Sequence, residues 1–434
     1  MMDPIVFGVI GLVALFVLLA AGVPVGAGMG IIGTIGIWYL ISGSAAINKL
    51  IVVPFTTVAS YELAVLPLFI LMAEFIFVTG MGADLYNLSA KWLGHQRGGL
   101  AQASIVACAG FSAVSASSLA TTATMGLVAR PEMEKYNYKP QLATGCIAAG
   151  GSLGSLIPPS GILIIYGTLT ETSIGKLFIA GIVPGILEAV FYMITIYILC
   201  LRDPSLGPRG ALTTFKEKIF AFKSCGEIIL LIMLILGGLL LGWFTPTECG
   251  AIGAAAALLI SIARRRLSWV KFKEAIFRTI STTGVIYFIL IGAFILNNFL
   301  AVSNIPTALA TFANDLPLSP IGIIVIIMLM YLFLGCFIDT AAMHVLTTPI
   351  FFPVAITLGF DPLWFGIIVT RAMEIALITP PIGMNVYVMA GIAPDVPMQT
   401  IFKGVVPFII ADIFNVILLL FVPSTILFLP NLMK

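Results

Sequence analysis

An apolar stretch long enough to cross a bilayer carries two adjacent prolines, Pro158 and Pro159, set among Gly150, Gly151, Gly154 and Gly161. No continuous helix can pass through it. Neither proline supplies a backbone N–H, and Pro158 disfavours helical geometry at Ile157. Irregular backbone at membrane depth survives only where it is buried in protein or lines a wet cavity. The break therefore marks a site rather than a plain anchor.

The surrounding composition agrees with a membrane setting. The chain of 434 residues is 60% hydrophobic and 9% charged, against roughly 25% charged in soluble domains. Alternating strands are absent, which excludes a transmembrane barrel. The expected class is an all-α polytopic membrane protein with the lipid bilayer as solvent and no nucleic-acid partner. The start of the chain, Met1, Met2, Asp3 and Pro4, has no basic region, so the first apolar run reads as a span and not a cleaved signal. Six cysteines (108, 146, 200, 225, 249 and 336) lie scattered in or beside apolar runs without metal spacing and read as free packing thiols. The two histidines, His95 and His344, build no metal motif, and no cofactor is expected.

A span needs about 20 apolar residues. That rule predicts crossings at 5–21, 24–42 and 57–80, then a polar stretch at 81–97. Region 98–130 is apolar but split by Ser112, Ser115, Ser117 and Ser118, which predicts a re-entrant hairpin with its tip at 112–118. A broken span at 140–167 and a span at 177–201 complete the first half. After a basic linker at 202–225, the same order returns: spans at 226–243, 246–263 and 279–300, a hairpin at 321–353, a broken span at 362–391 and a last span at 404–430.

The return is a duplication. An offset of 222 places Pro24 on Pro246, Pro131 on Pro353, Pro140 on Pro362, Pro158 on Pro380, Pro159 on Pro381 and Gly161 on Gly383. Prolines do not hold one register by chance over half a chain. Residues 1–201 and 226–434 thus form two repeats joined by the linker. With five crossings in each repeat, an odd number, the second must be inverted relative to the first. Of the 21 Lys and Arg residues, 17 then collect on one side. By the positive-inside rule that side is cytoplasmic, which places both termini in the periplasm.

Inverted repeats whose interrupted helices meet at mid-membrane are the architecture of secondary transporters. Carbonyls freed at a break can coordinate a dehydrated cation, and helix N-termini attract an anion. Two Na⁺ sites are expected. Ser112 and Ser115 face the carbonyls of Gly154, Ile157 and Pro158, and Gly335 faces Ala376, Thr379 and Ile382. At the second tip, Asp339 and Thr340 occupy the positions equivalent to Ser117 and Ser118. Asp339 reads as a substrate or cation contact, or alternatively as a capping carboxylate. Asn385, just past the second break, can hydrogen-bond a polar ligand. Arg371 either pairs with Glu374 one turn on or grips a substrate carboxylate. Glu62, Glu74, Glu188 and Asp412 read as helix or partner contacts, and His344 as structural.

The run from Gly110 to Gly126, the segment Gly154 to Ser160 and the segment Ile378 to Gly383 resemble the large membrane subunit, the DctM type, of tripartite ATP-independent periplasmic (TRAP) transporters. The resemblance spans essentially the whole chain. It implies Na⁺-driven uptake of an organic acid, such as a C4-dicarboxylate or sialic acid, across a bacterial inner membrane. It implies two partners, a periplasmic substrate-binding protein and a small four-helix membrane subunit supplied as a separate chain. Similarity to elevator transporters implies a transport domain at about 98–167 and 321–391, with the remainder as scaffold. The family's cation-site pattern falls on the nine residues named above, with Ala376 standing where glycine is common. The alternatives are a stand-alone Na⁺/anion symporter and, against the lack of a nucleophile–base pair or metal cluster, an intramembrane enzyme.

Overall fold

The computed structural model describes residues 2–433, and among them every regular element is helical. The first half contains α1 (Pro4–Ala20), α2 (Val25–Leu40), α3 (Gly43–Val58), α4 (Val65–Val78) and α5 (Met81–Leu93). It continues with α6 (Gly99–Ser115), α7 (Ser118–Lys135), α8 (Pro140–Leu156), α9 (Gly161–Thr170) and α10 (Ile174–Arg202). The second half contains α11 (Phe215–Leu240), α12 (Pro246–Ala263), α13 (Trp269–Ser303), α14 (Ile305–Asp315) and α15 (Pro320–Gly335). It ends with α16 (Thr340–Thr357), α17 (Pro362–Ile378), α18 (Met384–Ile392), α19 (Met398–Phe421) and α20 (Ser424–Leu432).

The proline register carries over to the helices. Adding 222 to the bounds of α7 and α8 reproduces those of α16 and α17 to the residue. Local chemistry explains why the boundaries repeat. Proline occupies the first turn of both α8 and α17, where its missing N–H has no intrahelical partner to lose. Ser117 and Asp339 cap the second hairpin arms, α7 and α16.

Four boundaries differ from expectation. The predicted span 57–80 is α4, which then bends by 69° into α5, because Gly80 turns left-handed (φ 71°) and the polar, amphipathic α5 follows. The region 43–58 is an additional helix, α3, capped by the Ser42 side chain. The basic linker is shorter than expected, since a capping box between Thr214 and Glu217 starts α11 at Phe215. What remains of it is strapped down: the Gly98 N–H donates to the Gly207 carbonyl at 2.8 Å, and Lys139 N–H to Leu206 at 3.1 Å. At the far end, Pro423 divides the predicted last span into α19 and α20.

Among the described residues, seven helical segments, α8–α9 taken as one, are long and apolar enough to cross a bilayer, eight if α4–α5 counts as one span. The 17 residues of α1 and the 16 of α2 fall short of a full crossing, so length alone does not reach the expected five crossings in the first half.

Helices pack across the halves as well as within them. α2 lies against α13, and α12 against α4. The first contact is backbone on backbone: a Cβ on Gly292 would stand 2.1 Å from the Gly26 carbonyl oxygen. Small residues permit this approach where lipid supplies no hydrophobic driving force. The hairpin arms cross as well, α7 onto α18 and α16 onto α9. Both breaks and both tips are thereby drawn to the centre.

Candidate functional site

The first break is wired to the first tip. α8 ends at Leu156, Ile157 is extended, and Ser160 restarts the chain as α9 by accepting from Leu163 N–H at 3.3 Å. Gly161 N–H donates to the Ala116 carbonyl at 3.4 Å, and the Ser118 and Ser155 hydroxyls touch. Gly154 faces the tip so closely that a Cβ would lie 2.7 Å from the carbonyl carbon and oxygen of Ser117. Ser115 bonds Thr121 Oγ1 at 2.8 Å. Ser112 is fully buried and its Oγ has no protein partner, as an oxygen reserved for a ligand would be. Ser112, Ser115, Gly154, Ile157 and Pro158 therefore sit on two elements in direct contact.

The second pairing has the same parts with fewer bonds. Gly335, the last residue of α15, packs on Ala376, where an added Cβ would come 2.5 Å from the alanine methyl. Thr379 ends α17, its N–H on the Ala376 carbonyl at 3.3 Å and its hydroxyl on Ile375 at 2.6 Å. Ile382 follows the exposed Pro380 and Pro381. Among the described residues no group of three or more His, Cys, Asp or Glu side chains could hold a metal ion. A cation held here would depend on carbonyl and hydroxyl oxygens.

Between the tips lies a cavity of about 660 Å³. Ser117, Ser118, Asp339 and Thr340 all line it, together with Ser115. They surround the N-termini of α7 and α16, where unpaired N–H groups and the helix dipole favour negative charge. The Asp339 carboxylate caps its helix, accepting from Ala341 N–H at 3.0 Å, and lines the cavity at the same time. The capping reading is realised.

Two expected substrate contacts lie elsewhere. Asn385 is fully buried and donates to the Ala148 carbonyl at 3.1 Å, so it ties α18 to α8 and does not line the cavity. Arg371 also points away from it. Arg371 Nη1 lies 2.5 Å from Glu374 Oε2 and 2.7 Å from Glu188 Oε2, and Nη2 lies 2.7 Å from Asp412 Oδ1. The ion-pair alternative is the one realised, extended to three carboxylates. Tyr192 donates to Asp412 at 2.9 Å and Ser152 to Glu188 at 2.9 Å, all within the protein interior. This joint fastens α8, α10, α17 and α19 to one another. A guanidinium enclosed in this way is not available to a substrate.

The sequence reading missed Glu74 and Arg278, which both line the cavity. Arg278 belonged to the cytoplasmic basic set. The available signal was helical spacing: Arg278, Thr282, Val285 and Ile286 form one stripe of α13, and all four face the cavity.

Known proteins resemble the chain over most of its length. A family model described as "Tripartite ATP-independent periplasmic transporter, DctM component" matches residues 12–425. The chain is 33% identical over 388 residues to the C4-dicarboxylate TRAP transporter large permease protein DctM of Pseudomonas aeruginosa, covering 89% of this chain and 90% of that one. It is 31% identical to the sialic acid TRAP transporter large permease protein SiaM of Vibrio cholerae, over 98% of both chains. Among solved structures, the Alcanivorax borkumensis YdaH transporter superposes with a TM-score of 0.58 at 14% identity, over 85% of this chain and 88% of that one. Neisseria gonorrhoeae MtrF superposes with a TM-score of 0.62 at 14% identity, over 88% and 85%. At that identity the likeness concerns the fold alone. The chain belongs to the DctM family of tripartite ATP-independent periplasmic transporters, as a multi-pass permease of the inner membrane and not an enzyme.

Proposed function

We propose that this permease imports an organic acid, driven by Na⁺, with a periplasmic binding protein delivering the substrate and a small membrane subunit completing the complex. The observation that carries the reading is the cavity between two capped hairpin tips, each backed by a broken helix. Its paired helix N-termini suit an anion. The orphaned Ser112 hydroxyl beside the first break suits a cation. Relatives named for C4-dicarboxylate, sialic acid and 2,3-diketo-L-gulonate transport support a carboxylate as substrate. A relative named DctMQ, against 66% of whose length this chain aligns, supports a second membrane component.

The two halves act as inverted repeats, with both termini periplasmic. The moving body of an elevator carries α6–α9 and α15–α18. It also includes α10 and α19, because sliding them against α8 and α17 would break the two buried contacts of Arg371 to Glu188 and Asp412. α2, α4, α12 and α13 form the fixed wall.

The test is uptake into proteoliposomes holding the purified complex, with and without an inward Na⁺ gradient. Asp339→Ala is expected to lower uptake at least about tenfold while membrane insertion stays intact. Uptake that ignores the Na⁺ gradient would remove the coupling ion from the mechanism.

A further inference from the structure

Three charged side chains line the central cavity: Asp339, Glu74 and Arg278. Asp339 stands at a hairpin tip, but the other two face it from the proposed fixed wall, Glu74 on α4 and Arg278 on α13. Arg278 is the one cation among the lining residues. Its position is set from two directions. Nη2 donates to Glu274 Oε1 at 2.6 Å, one turn back on the same helix. The guanidinium also lies 5.2 Å from the ring centroid of Phe77, which lines the cavity too. A guanidinium has five N–H donors in a planar fork. With the side chain 45% exposed, the donors not used on Glu274 remain open to a ligand. Glu74 offers the complementary chemistry. Its Oε2 is buried without a protein partner, and an ionised carboxylate only accepts hydrogen bonds.

We propose that Arg278 is the carboxylate-binding residue of this cavity, and that the transported acid is a monoanion carrying hydroxyl donors for Glu74 and Asp339. The proposal rests on the organic-acid reading and narrows it. A single carboxylate finds its opposite charge at Arg278, in the bidentate geometry that a guanidinium favours. A second carboxylate on the same small molecule would face Glu74 or Asp339, and like charges in a partly enclosed cavity repel. Hydroxyls placed there donate instead. A volume of about 660 Å³ lies within the ordinary range for small-molecule sites, roughly 300–1,000 Å³.

The experiment measures the thermal unfolding midpoint of the purified chain in nanodiscs while sodium gluconate, succinate or hexanoate is titrated in. A ligand that binds the folded state raises the midpoint according to its affinity. Gluconate is expected to bind most tightly. Arg278→Gln is expected to weaken gluconate about tenfold, the loss of one charge-assisted pair. Arg278→Lys, which keeps the charge but not the fork, is expected to weaken it less. Glu74→Gln should leave hexanoate unchanged and narrow the preference for gluconate over hexanoate. Succinate binding more tightly than gluconate, or gluconate binding equally to wild type and Arg278→Gln, overturns the proposal and leaves organic-acid transport standing. Absence of any shift with all three acids sinks both.

Discussion

The two hairpin-and-break units share one order of parts but are finished differently. In the first, the tip and the break are sealed: Ser112, Ser115, Ser118 and Ser160 are buried, and tip and break share hydrogen bonds. In the second, Phe337 at the tip is 61% exposed and the prolines of the break face outward. Beside the packing of Gly335 on Ala376, a weak hydrogen bond from Cys336 Sγ to the Pro380 carbonyl at 3.6 Å joins them. In the first tip Ser115 pairs with Thr121 and Ser118 with Ser155, and Ser112 alone is left open. The second tip has Leu334 and Phe337 at the positions of Ser112 and Ser115, and Asp339 and Thr340 at those of Ser117 and Ser118. The same backbone geometry can thus be a closed, bonded unit or an open one, and side-chain polarity decides which.

The largest test of this comparison strikes the joint that the units share. Arg371→Ala leaves Glu188, Glu374 and Asp412 buried without their cation, and such a loss destabilises by about 3–5 kcal/mol. Loss of folded, monodisperse protein in detergent is the expected readout. Survival of the variant with wild-type stability would dissolve the idea of a common body.

Next come the glycine contacts. Gly154→Ala drives a methyl into the backbone of Ser117 and Ser118, whereas Gly335→Ala meets side chains, the Ala376 methyl and the flexible end of Met343. Both should cost about 1–3 kcal/mol by overpacking, the first more than the second. Ala376→Gly should rescue Gly335→Ala, and no single side-chain change should rescue Gly154→Ala. Thermal unfolding of the four variants checks this, and equal losses in both units would erase the distinction between them.

A smaller effect separates the two caps. Ser117→Ala and Asp339→Ala each remove an N-cap and should each lose about 1 kcal/mol. Only Asp339→Ala should also abolish uptake, since its carboxylate faces the cavity as a charge. Similar uptake by the two variants would mean that the tips contribute equally.

The smallest effect lies outside both units and sets a baseline. Asp203, exposed at the end of α10, accepts from Ser205 and Lys139, and these bonds hold its carboxyl down at about 2. A depressed carboxyl contributes stability above its unfolded value near 4, and that contribution fades as the pH falls toward 2. Stability measured over that window should change little, and Asp203→Asn should remove what change there is.

Much of this architecture was legible from residues alone. Pro158 and Pro380 cannot continue a helix, so both breaks were placed by covalent chemistry. The serine-rich run at 112–118 placed the first hairpin tip, and the offset of 222 placed its counterpart. These are local rules that need no fold. Facing was another matter. Arg371 and Arg278 are both cations on apolar helices, yet one closes on three carboxylates and the other lines the cavity. Asn385 likewise turned to a carbonyl of α8. Which side of a helix meets which neighbour depends on crossed packing between residues hundreds of positions apart. Where the chain is apolar nearly all round its helices, periodicity carries no mark of that choice. The sequence by itself determined where helices break and that the halves repeat. Only the tertiary structure decided which charges meet each other and which line the cavity.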